Sequence, residues 1–282
     1  MAAVIPTVTK VSPRITRILG CNPSSMTLQG TNTYVLGTGK RRILIDTGDE
    51  GISQYVSHLS NVLNEENIEL AHIFLSHWHH DHVGGLTDII SKLGIRIKDC
   101  HVWKFPRLDA EDIVQKFELF EDGQEFVVEG ATVKVFHTPG HSTDHAVFHL
   151  LEDNAVFSGD CILGEGTSIF ENLYDYMKSL NLILKLQPCV IFPGHGNIIY
   201  DPAERLKYYL SHRQQREDQI IEVLKKNIGK GFTENALVLA IYTGLSEKLV
   251  KAAEYNVNHH LQKLLKEGKV LQIGELWQYN KL

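Results

Sequence analysis

Residues 73 to 85 read Ile-Phe-Leu-Ser-His-Trp-His-His-Asp-His-Val-Gly-Gly, and no other stretch narrows the chain's folds and chemistry as far. The apolar run Ile73-Phe74-Leu75 predicts a buried strand that stops at Ser76. His77, His79, Asp81 and His82 then arrive within six residues, and Gly84-Gly85 predicts a turn of the backbone. Imidazole together with carboxylate suits zinc, iron or manganese. Four donors on one loop exceed what a single ion with an open catalytic position takes from one segment, so a pair of ions is the sharper reading. Chance clustering of surface histidines is the alternative. The loop's place at a strand end, where α/β proteins put their chemistry, speaks against it.

Strand and helix patterns alternate around this loop. Arg14 to Leu19 has the period of a half-exposed strand, which is favoured over the faint likeness of the acid-free residues 1–45 to a mitochondrial presequence. Residues 31–36 and 42–46 predict two antiparallel strands joined by a glycine-containing hairpin, and 52–63 and 85–93 have helical spacing. The second of these helices is expected to aim its N-terminus at the metals. Strands expected at 124–128, 132–137, 146–150 and 155–158 imply a second sheet, followed by a helix over 173–186 and a short strand over 190–193. The charged stretch from about 106 to 118 is weakly patterned and stays unassigned between loop and exposed helix. Beyond Asp201-Pro202, helices over 203–226, 233–241 and 247–265 and a hairpin over 268–279 resemble a winged-helix module. This divides the chain into a catalytic domain, 1–202, and a C-terminal domain, 203–282.

Three more strand ends carry glycine and a metal-type residue: Thr138-Pro139-Gly140-His141, Ser158-Gly159-Asp160 and Pro193-Gly194-His195-Gly196. With His-x-His-x-Asp-His they resemble, in order, the motifs of the metallo-β-lactamase superfamily over about residues 14–200. The resemblance implies an α/β fold, the αββα sandwich. It implies that His77, His79 and His141 bind one zinc ion, that Asp81, His82 and His195 bind a second, and that Asp160 bridges them. Asp81 and Asp160 become the catalytic carboxylates, either of which can orient a water and accept its proton. Asp46 is similar to the family's first acidic residue, and its expected role is to accept a hydrogen bond from a ligand histidine rather than to bind metal. His80 is expected to point away from the site, His145 to be structural, Cys161 to face the core, and Asn32 and Thr33 to shape a turn.

Fold and metals do not choose a substrate. The hydrophobic content of 43% and charged content of 22% suit a globular chain with a sizeable core, and no stretch approaches the roughly 20 apolar residues of a membrane span. Four widely spaced cysteines without a Cys-x-x-Cys pair predict a reducing compartment. The net charge of −6 argues against a molecule wrapped in nucleic acid, yet residues 203–282 hold 13 Lys/Arg against 9 Asp/Glu. Lys248, Lys251, Lys263, Lys266 and Lys269, with Trp277 and Tyr279 on the wing, are candidate phosphate and base contacts.

Gly30-Thr31-Asn32-Thr33-Tyr34, the run Phe157 to Thr167, Tyr174-Asp175-Tyr176-Met177 and Ser211-His212-Arg213 resemble, essentially end to end, an animal branch of the superfamily formed by zinc-dependent endoribonucleases. That resemblance implies hydrolysis of single-stranded RNA by a dizinc-bound hydroxide, with two Zn2+ per chain, in the mitochondrial matrix, the cytoplasm being the alternative. A glyoxalase II-like thioester hydrolase, built on the same ligands, is the competing enzyme. A non-catalytic RNA- or protein-binding domain is a third reading, against which the full ligand set argues.

Overall fold

Apolar residues stand at consecutive positions in most of the expected strands, as they must in strands covered on both faces. The computed structural model describes residues 4–94, 98–107, 117–242, 244 and 246–281, except the side chains of Glu247 and Lys248. Its first sheet has β1 (Val8–Ser12), β2 (Ile15–Leu19), β3 (Asn32–Leu36), β4 (Arg41–Ile45), β5 (Glu69–Phe74), β6 (His101–Lys104) and β7 (Glu118–Leu119) side by side in chain order. Pairing is antiparallel from β1 to β4 and parallel from β4 to β7. The second sheet contains β8 (Glu125–Val128), β9 (Ala131–His137), β10 (Ala146–Leu150), β11 (Ala155–Gly159) and β12 (Val190–Pro193) in the order β12-β11-β10-β9-β8. Only its β11–β12 pair is parallel. Each parallel partner needs a crossover, which α1 (Ser53–Glu65) supplies between β4 and β5, and α4 (Leu173–Leu186) between β11 and β12.

Alternate residues of one strand serve different layers. Tyr34, Leu36, Ile43 and Ile45 meet Val133, Val135, Phe148 and Phe157 between the sheets. Val35 and Leu44 turn the other way, onto Tyr55, Leu59 and Leu63 of α1 and Leu86 and Ile89 of α3 (Leu86–Leu93). On the far side Val147, Val156 and Ile191 pack against Tyr176, Leu180 and Ile183 of α4 and Leu206 and Tyr209 of α5 (Pro202–Lys226). This is the expected αββα sandwich. Each such side chain contributes about 1.5–3 kcal/mol by its burial, so the layers fix the strand ends firmly.

The C-terminal module has a core of its own. Ile220 and Leu224 of α5 join Leu237 and Val238 of α6 (Glu234–Ile241), Val257, Leu261 and Leu264 of α7 (Glu247–Lys266), Val270 of β13 (Val270–Ile273) and Trp277 of β14 (Leu276–Tyr279). The long α5 therefore buries its first half in the sandwich and its second half in the winged helix. Strands β1, β6 and β7 were not foreseen. β1 is an edge strand of mixed polarity, Val-Thr-Lys-Val-Ser, and β7 is two exposed residues, so neither carries a burial pattern to read. Part of the unassigned stretch 106–118 lies outside the described residues. Among the described residues no helix is long and apolar enough to cross a membrane.

Candidate metal centre

The donors gather at the ends of β5, β9, β11 and β12. His77 and His79 follow β5, and Asp81 and His82 sit on a short helix, α2 (His80–Val83), where the sequence suggested a loop. The glycines after it are ordinary in backbone angle: Gly84 has φ −62° and Gly85 φ −72°. Gly85 is needed for closeness instead, since a Cβ there would stand 2.0 Å from the Thr47 carbonyl oxygen. Gly194 plays the same part beyond β12, where a Cβ would meet Asp160 Oδ1 at 2.5 Å and displace the donors.

Two groups of donors form, His77, His79, His141 and Asp160 in one and Asp81, His82 and His195 in the other, with the donor atoms of each group within 4.8 Å of one another. His77 Nε2 lies 2.9 Å from His79 Nδ1 and 3.3 Å from His141 Nε2, which is itself 3.1 Å from His79 Nδ1. His82 Nε2 faces His195 Nε2 at 3.3 Å, and Asp81 Oδ2 is 3.2 Å from both. Asp160 spans the groups. Its Oδ1 is 3.4 Å from His82 Nε2 and 3.3 Å from His195 Nε2, while its Oδ2 points to His141 Nε2 at 3.8 Å.

These residues fit divalent ions. Tetrahedral ligands 2.0–2.1 Å from zinc stand about 3.3 Å from each other, the spacing seen here. Asp160 Oδ1 is buried without a hydrogen bond between the Nε2 atoms of His82 and His195, a placement that suits a cation lodged among the three. Burial, reinforced by the charges of neighbouring histidines, pushes the pKa of His77 well below its usual value and that of His79 down to about 4, so both offer lone pairs at neutral pH. Burial also opposes a charge on His82 and His195, but there the carboxylates win. Asp81, Asp160 and Asp46 hold His82 well above its usual value, and Asp160 and Asp81 bring His195 to about 9. The same concentration of negative charge attracts a cation, which must displace those protons to bind.

Surrounding residues orient the imidazoles. Asp46, buried at a φ of +58° that Asp tolerates better than most residues, accepts from the Ser76 backbone N–H (2.7 Å), the Ser76 hydroxyl (2.8 Å) and His82 Nδ1–H (2.8 Å). His82 Nε2 is thereby turned to the site, in the manner expected of Asp46. His141 Nδ1–H donates to the Ile169 carbonyl at 2.8 Å. His145 accepts from the Asp160 backbone N–H at 3.1 Å and makes no approach as a ligand, and His80 is exposed, 3.5 Å from Asp49. Cys161 is buried in the core on the α4 side.

A sequence match to the Metallo-beta-lactamase superfamily covers residues 26–195, and a second, to the Beta-lactamase associated winged helix domain, covers residues 233–277. The chain belongs to the metallo-β-lactamase superfamily. It is 52% identical over 274 residues to the Beta-lactamase-like protein 2 homolog of Drosophila melanogaster, covering 95% of this chain and 93% of the relative. It is 44% identical over 261 residues to the homolog of the same name from Caenorhabditis elegans, covering 93% and 87%. In fold it is similar to a beta-lactamase domain protein from Burkholderia ambifaria, at TM-score 0.78 and 16% identity, covering 99% of this chain and 96% of the other.

Within this metallo-β-lactamase chain, Asn32 and Thr33 lie in β3 rather than in the turn the sequence suggested, and the contacts of Thr31, Asn32, Ser168 and Arg213 near the centre emerge only in the structure. Thr31 donates to Asp81 Oδ2 at 3.0 Å, and Asn32 Nδ2 donates to the carbonyls of Pro193 (3.0 Å) and Gly196 (2.9 Å), clasping the loop that carries His195. Arg213 of α5 reaches the Ser168 carbonyl at 3.0 Å, and the Ser168 hydroxyl lies 3.2 Å from His141 Nδ1. The C-terminal module is thus wired to a donor.

The expected nucleic-acid face of that module needs correction. Lys263 is buried against Glu217 (2.5 Å) and Glu267 (2.7 Å), and Lys269 bonds the same two acids at 3.1 and 2.7 Å. Trp277 is 1% exposed and fills the module's core, and Tyr279 is half-buried against it. Amphipathic periodicity marked α7 correctly but could not distinguish a lysine over solvent from one beside a buried acid on another helix. Lys251 and Lys266 remain exposed, and the side chain of Lys248 lies outside the described residues.

Proposed function

We propose that this hydrolase is a zinc-dependent endoribonuclease that cuts single-stranded RNA, in which His77, His79 and His141 would hold one of two zinc ions, Asp81, His82 and His195 would hold the other, and Asp160 would face both. The observation that carries the reading is the pair of facing donor groups opening onto an exposed indole. Trp78 stands between two donors of the loop, 40% exposed, with the Arg107 guanidinium 4.0 Å above its ring. An aromatic face and a guanidinium beside a hydrolytic centre suit a base and a phosphate. The end-to-end likeness to an endoribonuclease branch supports the same choice and implies the mitochondrial matrix as its compartment.

When bound, the ions supply Lewis acidity and a water acidified toward neutrality. The chain's own residues do the rest. Burial alone would raise the pKa of Asp81, but His82 and His195 pull it well below the usual carboxylate range, so it is ionised throughout neutral pH. Its Oδ2 is fixed by Thr31, and its carboxylate, 21% exposed and ionised, would orient the attacking water as a hydrogen-bond acceptor. Asp160, more deeply set, keeps the two donor groups in register. Arg107, over Trp78 and 3.4 Å from Glu171, would meet a phosphate at the rim of the centre.

The test is a parallel assay of zinc-loaded protein on labelled single-stranded RNA and on S-lactoylglutathione, with Asp160→Ala and chelator-treated protein as controls. Metal-dependent RNA cutting lost in Asp160→Ala is the expected result. Thioester turnover with RNA left intact would overturn the reading.

A further inference from the structure

Between the first turn of α4 and the last turns of α7 lies a groove of about 490 Å3, lined by Glu171, Asn172, Tyr174, Asn258, Gln262 and Lys266 among others. It begins beside the metal centre. The Glu171 backbone N–H donates to the carbonyls of Gly140 (2.8 Å) and His141 (3.3 Å), and the Glu171 carboxylate pairs with Arg107 at 3.4 Å, under which lies Trp78. Farther along, the ammonium groups of Lys178 and Lys266 stand 4.2 and 4.1 Å from the Tyr174 ring. The ring positions both cations without neutralising them. Lys266 meets Asp175 only at 3.8 Å and is 53% exposed, and Lys178 is exposed and makes no ion pair among the described residues.

We propose that this groove is an RNA-binding subsite, which holds the single strand as it leaves the metal centre and contacts its phosphates through Lys178 and Lys266. The proposal rests on the endoribonuclease reading. Charge and continuity argue for it. A cation-bearing aromatic pair at the rim of the centre, Trp78 with Arg107, is followed along one path by a second, Tyr174 with its two lysines. Between them the Gln262 amide, the Asn172 Nδ2 left over from its capping of α4, and the Asn258 Oδ1 left over from its bond to Glu234 offer polar contacts to sugar and base edges. A glutathione thioester has two carboxylates within one short molecule, whereas a polyanion gains at each phosphate along the path. The groove also gives the winged helix a part in holding RNA, because α7 forms one wall, whereas Trp277 of the wing is committed to the module's core.

The experiment uses the full chain and the variant Lys178→Gln/Lys266→Gln, whose replaced groups are exposed and outside every core. Binding of fluorescein-labelled oligouridylates of about 4 and about 16 nucleotides to metal-free protein is followed by anisotropy against salt. Cleavage KM is measured on the zinc-loaded forms. Loss of two phosphate contacts should weaken binding of the longer oligomer about tenfold or more at 0.1 M salt and reduce the log–log salt slope by about 1.4. The shorter oligomer, confined to the centre, should change little, and the longer should be displaced by unlabelled RNA but not by oligoglutamate of equal charge. Unchanged affinity and slope in a variant whose parent cleaves RNA would overturn the subsite alone. Equal displacement by oligoglutamate would show a site for acidic polypeptide and overturn it too. A parent chain that neither binds nor cuts RNA would remove the endoribonuclease reading, and the subsite with it.

Discussion

Asp46→Asn isolates the hydrogen bond that aims His82. Asn tolerates the left-handed backbone at φ +58° as Asp does, so the turn itself is unstrained by the change. The Asn carbonyl must take the place of Oδ1, because the Ser76 backbone N–H points there at 2.7 Å. Its NH2 group then replaces Oδ2, 2.8 Å from His82 Nδ1. A donor now faces a donor. His82 relieves this by moving its proton to Nε2, the nitrogen turned to His195 and Asp160, and loses the lone pair a metal needs. Loss of such an orienting partner costs about 10- to 100-fold in metal affinity, or about 1.4–2.7 kcal/mol. The assay is metal content after dialysis against graded chelator, with activity followed in parallel. Selective loss at the Asp81–His82–His195 group, with the His77–His79–His141 group retained and melting little changed, is the expected result. Chelator resistance equal to the parent at both groups would refute the reasoning.

Asp160→Ala should abolish hydrolysis and weaken both metal positions together, since its two oxygens face different donor groups; metal stoichiometry and turnover check this. Lys263→Ala should destabilise the winged helix by about 3 kcal/mol by stripping buried Glu217 of its nearer cation, whereas Lys269→Ala, at a position 49% exposed, should cost less than about 1 kcal/mol; denaturant melts would separate them. His260 is fully buried with neither ring nitrogen hydrogen-bonded, and burial, followed by Arg213, Lys263 and Arg216, lowers its pKa to about 3. The unfolded chain therefore takes up the proton first as the pH falls below about 6.5, so stability is full above that value and drops by about 2 kcal/mol at pH 5. His260→Leu should flatten that part of the profile, and an unaltered profile would show that the pH dependence lies elsewhere.

How much of this was legible followed from the range of each interaction. The helix over 173–186 coincides with α4 because its apolar stripe and its cap, Asn172 accepting from the Asp175 N–H, are local in the chain. β3 and β4 were readable because a hairpin pairs neighbours, and their register sets Tyr34 opposite Ile45. β6 was not, because its partner β5 is about thirty residues away and its own four residues, His-Val-Trp-Lys, carry little pattern.

The sequence by itself determined the donors and their order along the chain, since four short motifs at strand ends are local statements about residue type and backbone freedom. Its periodicity determined strands, helices and a second sheet, and the resemblance of its motifs implied the αββα sandwich. Only the tertiary structure decided that Gly85 is there for the Thr47 carbonyl, that Asp46 holds His82, that Lys263 and Trp277 are interior, and that Lys266 meets Tyr174 across two modules. Each of these depends on the separation of groups far apart in the chain, and burial and charge energies are fixed by those separations, to which periodicity along one element is blind.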